Sequence, residues 1–174
     1  MGLVMGGDDI VVGDVNDLSD PELSPIGVGI IARGRRTTST GNVTTTETGV
    51  LRVDNIPVYA GRIYKISTSN MNMDTSVDND AARAAFRTST SGAATTSSTL
   101  GNYLRNTIDS ASQSNVHNAV MFYVAGADGT LSVLLTLLRQ SGTGNIIMFC
   151  SGTDILDMVI EDLGVDPGDS GTVI

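Results

Sequence analysis

Ala119-Val120-Met121-Phe122-Tyr123-Val124 and Leu131-Ser132-Val133-Leu134-Leu135-Thr136-Leu137 stand on either side of Ala127-Asp128-Gly129-Thr130. Two runs of aliphatic, β-branched and aromatic residues around Asp-Gly spell a β-hairpin. Ser141-Gly142-Thr143-Gly144 then turns the chain into Asn145–Cys150. The expectation here is a three-stranded antiparallel meander, and with it an all-β fold.

The rest of the chain has the same texture. Ile26, Val28 and Ile30 alternate with Gly27, Gly29 and Ile31. Thr37–Thr48 offers Gly41-Asn42 as a turn between two strands, the second closed by Val50–Val53. Ile56–Gly61 reads as a connection, because Pro57 cannot donate to a central ladder. Arg62–Thr68 alternates cleanly. Residues 69–80 read as a polar loop, 82–90 as a strand around Phe86 or a short helix through the alanines, with the β-rich surroundings favouring the strand, and 91–99 as a low-complexity loop. Residues 100–116 show no decisive pattern. Asp154–Leu163 fits a helix through Ile155, Val159 and Leu163, or a strand with Leu156, Met158 and Ile160 on one face. The β-rich surroundings favour the strand. Seven or eight short strands predict a two-sheet antiparallel β-sandwich, jelly-roll-like, with an extended N-terminal arm. The boundaries expected are an acidic arm over 1–25, a sandwich body over 26–163 and an acidic tail over 164–174.

The chain has 174 residues, 40% of them apolar, enough to bury a core without staples. Thr and Ser dominate the polar side, and Lys65 is the sole lysine. Cys150 is the one cysteine, which excludes an internal disulfide and a cysteine-type zinc site. It reads as a small buried hydrophobe. No apolar run approaches the roughly 20 residues of a membrane helix, and the N-terminus lacks the basic start of a secretory signal. A soluble protein made in a cytoplasm is expected.

Charge is unevenly placed. Residues 1–24 hold six acids and no bases, residues 154–174 another six and none, and the stretch between has ten bases against seven acids, which together give −9. Asp8, Asp9, Asp14 and Asp17 surround Ile10-Val11-Val12. This is a candidate docking arm, with the apolar triplet able to add a strand to another sheet and the acids seeking a basic surface. Arg33, Arg35 and Arg36 form the candidate basic contact cluster for such an arm, in this chain or a neighbour.

No catalytic constellation is legible. His117 is the only histidine, and no G-x-S-x-G elbow accompanies it. Asn70, Asn72, Asp74, Asp78, Asn79 and Asp80 offer oxygen ligands of the kind Ca²⁺ takes, without the EF-hand spacing. Phosphate-loop and dinucleotide fingerprints are missing. Basic residues without interleaved aromatics in an acidic chain argue against nucleic acid. The expectation is a non-enzyme with no cofactor and no metal.

The string Gly49-Val50-Leu51-Arg52-Val53-Asp54-Asn55-Ile56-Pro57-Val58-Tyr59-Ala60-Gly61-Arg62-Ile63-Tyr64-Lys65-Ile66, followed by Ser69-Asn70-Met71-Asn72-Met73-Asp74, resembles a pattern of β-sandwich proteins in tailed-phage virions, those of actinobacterial hosts above all. Val159–Gly164 resembles the closing strand of such domains. Similar A-G-x-x-Y strings occur in carbohydrate-binding sandwich modules. The resemblance covers about a quarter of the chain. It implies a virion structural protein assembled in the host cytoplasm, foremost a capsid decoration or minor capsid protein docking on the head through an arm. A minor tail or fibre protein and a carbohydrate-binding module are the alternatives. Implied partners are phage capsid or tail proteins, other copies of the chain (a trimer is one symmetric option) and, less centrally, a surface glycan. No catalytic residue is implied: Pro57 and Gly61 shape a bend, and Ile56, Tyr64 and Ile66 pack.

Overall fold

The computed structural model describes residues 29–112 and 114–168. Nine strands cross it: β1 Gly29–Arg36, β2 Thr48–Val58, β3 Arg62–Thr75, β4 Asp80–Ser89, β5 Thr99–Ile108, β6 Asn115–Val124, β7 Gly129–Ser141, β8 Ile146–Phe149 and β9 Leu156–Val165. There is no helix among the described residues. Strands β1-β9-β3-β6 form one antiparallel sheet and β2-β7-β4-β5 the other. Pairing is nested: β1 with β9, β2 with β7, β3 with β6 and β4 with β5. This rolled-up hairpin is the jelly roll. Short β8 is an addition to it. The first part of β3 pairs with β9, and β8 takes over against Asn72–Thr75.

The inner faces follow the two-residue period of a strand. Tyr64, Ile66, Met71 and Met73 of β3 and Leu131, Val133, Leu135 and Leu137 of β7 belong to one core cluster, together with Phe86, Met148, Met158 and Ile160. Few aromatics reach this core, and flexible methionines fill the gaps. Cys150 is buried and free. Leu156, Met158 and Ile160 are fully buried, so the strand reading of the last element holds.

The expected meander does not form. Ala119–Val124 pairs with β3, Leu131–Leu137 pairs with β2 and β4, and β8 pairs with β3. The Asp-Gly segment carries the chain from one sheet to the other, and Asp128 Oδ1 accepts from the Ala60 amide. Local turn chemistry is outweighed because β7 is a central strand, buried on both faces from Leu131 to Leu137 and needing a partner on each side.

Other expectations shift as well. The 37–48 segment forms no strand pair at Gly41-Asn42; Val43 makes an isolated bridge to Ile146. Residues 69–75 belong to β3, where buried Met71 and Met73 lie beside the asparagines and aspartate that suggested a loop. Pro57 lies inside β2, which tolerates it because β2 is an edge strand. The final strand runs to Val165, and the Asp166 amide donates to Gly61 O, so the body extends past residue 163. The 1–25 arm lies outside the described residues.

Asp80 is fully buried at the start of β4. Its carboxylate accepts from the amides of Thr143 and Gly144, each at 2.9 Å, and from Thr75 Oγ1 at 2.7 Å. A Cβ at Gly142 or Gly144 would collide with that carboxylate. This anchor fixes the turn that delivers β8 to β3.

Candidate interaction surface

Pleating sends alternate residues of the β1-β9-β3-β6 sheet outward, and register places them side by side. Val124 lies opposite Ile63, Phe122 opposite Lys65 and Val120 opposite Ser67. Across β3, Lys65 meets Glu161 and Ser67 meets Val159. Beyond β9, Ile30 meets Glu161 and Arg33 meets Val159. A bulge between Arg62 and Tyr64 sets Leu163 beside Ile63. Val116, Val120, Phe122, Val124, Leu163 and Val165 are each between 41% and 59% exposed. Such a set presents on the order of 500 Å² of apolar surface, within the range of a monomer's largest patch, which is often functional.

Charges of both signs flank the apolar stripe. Lys65 Nζ pairs with Glu161 at 2.7 Å, and Arg33 and Arg35 share Asp157 at 3.0 and 3.1 Å. The expected basic cluster is therefore divided. Arg33 and Arg35 lie on this face and pair within the chain. Arg36 turns away and donates to the carbonyls of Thr38, Ser39 and Val50, holding the β1–β2 connection. Asp8, Asp9, Ile10, Val11, Val12, Asp14 and Asp17 lie outside the described residues. Three of the six acids of 154–174 are counter-ions for the body: Asp157, Glu161 and Asp162 pair with Arg33 and Arg35, Lys65, and Arg62.

The outer face of the other sheet is polar. Glu47, just before β2, accepts from Arg83 at 3.1 Å, from Arg87 at 2.7 and 2.8 Å, and from Thr136 Oγ1 at 2.6 Å. The hydrogen bonds from Arg87 hold the Glu47 carboxyl below the usual carboxylate range, against burial that acts the other way. The Arg83 guanidinium lies 5.9 Å from the Tyr103 ring centroid. Between the free edges of β5 and β6 a cleft of about 180 Å³ is lined by residues including Asn102, Tyr103, Asn118 and Val120.

His117 stands half-buried on β6, its Nε2 buried without a hydrogen-bond partner. The supposed calcium ligands are dispersed. Asp78 accepts from Ala111 N and Asp80 serves the β7–β8 turn. No three His, Cys, Asp or Glu side chains come together as a metal site among the described residues. Sequence reading missed the apolar face itself. Its signal is present, since Ala119–Val124 is apolar on both parities, but such a run also describes a strand buried on both sides.

No protein-family model and no curated protein matches the chain. Among solved structures it is similar to a chain described as "CBM4 structure and function", at 12% identity over 77% of this chain and 93% of that one, with a TM-score of 0.27. A likeness that remote says nothing about function.

Proposed function

We propose that this chain is a non-enzymatic structural module that acts as one subunit of an assembly, packing the outer face of its β1-β9-β3-β6 sheet against a second copy. The observation that supports this is the apolar stripe from Val120 to Val124 with Leu163 and Val165. The flanking charge pairs suit a symmetric partner, because each sign finds its opposite when a patch meets itself. The setting suggested by the sequence resemblance is the virion of a tailed phage, with the module as a decoration or minor capsid subunit; a tail or fibre component is the alternative placement.

Burying a Phe side chain stabilises by about 1.5–3 kcal/mol, and a two-fold interface uses Phe122 twice. Phe122→Ser should therefore weaken self-association about 10²- to 10⁴-fold in sedimentation equilibrium while leaving the thermal midpoint of the subunit nearly unchanged. A parent chain that sediments as a monomer up to about 0.1 mM overturns the reading. Localisation in purified particles by copy number then separates head from tail.

Tyr103, 55% exposed beside the amides of Asn102 and Asn118 at the β5–β6 cleft, favours glycan binding as a second reading. An aromatic face flanked by amides suits a sugar ring. Glycan-array binding lost on Tyr103→Ala would support it, and an array without hits removes it.

A further inference from the structure

The arginines on the outer face of the β2-β7-β4-β5 sheet outnumber the acids that reach them. Arg83 and Arg105 are direct cross-strand partners, an arrangement in which like charges repel. Arg87 lies on the same face of β4, four residues beyond Arg83. Glu47 answers Arg83 and Arg87 together. Arg105 is exposed and makes no ion pair or side-chain hydrogen bond among the described residues, and Arg83 Nε is buried without a partner. Arg33 and Arg35, in contrast, have Asp157. On this face Arg83 and Arg87 share the one carboxylate of Glu47 and Arg105 has no acid in contact among the described residues, so three guanidinium groups face a single carboxylate, next to the exposed ring of Tyr103.

We infer that Arg83, Arg105 and Tyr103 form a docking site for a carboxylate-rich peptide, namely the acidic segment 8–22 of a neighbouring copy. That segment holds Asp8, Asp9, Asp14, Asp17, Asp20 and Glu22 with no base, whereas the C-terminal acids on β9 are already paired within the body. Guanidinium groups bind carboxylates through paired N–H donors, and the Tyr103 ring can cover an apolar side chain between acids. Geometry favours a neighbour as donor. Gly29 enters β1 at the end of the sandwich shared with Arg62 and Val165. Arg83 lies in the other sheet, near the end where β4 starts. β5 is at the edge opposite the one formed by β1 and β2. The chain's own segment would have to round the body from one corner to the diagonal one, and Asp20 and Glu22, nine and seven residues before Gly29, span at most about 25–32 Å at about 3.3–3.6 Å each, so a neighbouring copy can present all six acids where the chain's own segment presents only the more distal ones.

The inference rests on the assembly reading but uses the opposite face, so the two fail separately. The test is fluorescence anisotropy of a labelled peptide of residues 1–24 against the full chain bearing Asp8→Asn, Asp9→Asn, Asp14→Asn and Asp17→Asn, so that its own segment does not compete. Binding should weaken at least tenfold with Arg105→Gln, further with Arg83→Gln, and fall between 25 and 250 mM salt. Phe122→Ser should leave it unchanged. Arg105 is exposed, so its variant keeps the test valid if Arg83→Gln does not fold. Equal affinity for the Arg105→Gln chain, no peptide binding at all, or a loss caused instead by Arg33→Gln with Arg35→Gln overturns the inference.

Discussion

Replacing Asp80 by Ala removes a fully buried carboxylate that receives three hydrogen bonds. A hydrogen bond to a charged group is worth about 1.5–3 kcal/mol, and a buried donor left without a partner costs about 1–3 kcal/mol. The Thr75 hydroxyl also lies 3.2 Å from the Val77 carbonyl and can turn to it, and the Thr143 contact is only part-buried, so the three terms do not add in full. A loss of about 3–5 kcal/mol follows, among the largest single-site effects a domain shows. For a chain this size about 2–4 °C is lost per kcal/mol, so the thermal midpoint should fall by roughly 6–20 °C. Asp80→Asn keeps an acceptor for part of the set and should fall between the two. Circular dichroism melts of both variants, with Asp109→Ala as an exposed control, measure the effect. Amide exchange at Thr143 and Gly144 locates it. If Asp80→Ala melts within a degree or two of the Asp109→Ala control, the carboxylate is not what fixes the β7–β8 turn.

Removing Asp162 from its buried pair with Arg62, where both side chains are about 5% exposed, should cost about 3 kcal/mol in urea denaturation, because a buried guanidinium loses a carboxylate that accepts from its Nε. Asp157→Ala, opposite two half-exposed arginines, should cost no more than about 1 kcal/mol. Glu47 has a folded pKa below its unfolded value of 4.5, so its contribution is full above about pH 4.5 and fades as pH falls through the folded value; the stability gap between parent and Glu47→Gln should be constant near neutrality and close in acid. Burial pushes the Cys150 thiol up, so a thiol reagent at pH 7.5 should label it only at the rate of unfolding, and rapid labelling of the native chain would contradict its packing.

The class of fold was legible because alternation is a local property. Arg62–Thr68, the strand around Phe86 and the face of Leu156, Met158 and Ile160 all declare themselves within seven or so residues. Sheet membership is not local. Asp128-Gly129 resembles a hairpin turn, yet β6 and β7 separate because each is matched to a partner far away in sequence. Met71 and Met73 were hidden among asparagines, since a strand with buried methionines and polar neighbours has the composition of a loop. The division of the basic cluster was hidden for a related reason: adjacency of Arg33, Arg35 and Arg36 along the chain says nothing about Asp157 on a strand that arrives much later. Arg83 and Arg105, far apart in sequence, become neighbours only through register.

The nested pairing has a consequence for synthesis. Arg36 and Leu156 are register partners 120 residues apart. At about 5–20 residues per second, the strand that completes β1 follows it from the ribosome after roughly 6–24 s. During that interval β1 has no sheet neighbour and β3 lacks the partner on one of its sides. A jelly roll wound this way is closed by its last segment, so a chain that stops before Leu156 exposes two unfinished edges at once, the state most prone to pairing with another nascent chain. The final ten-residue strand thus acts as the zip pull of the whole domain.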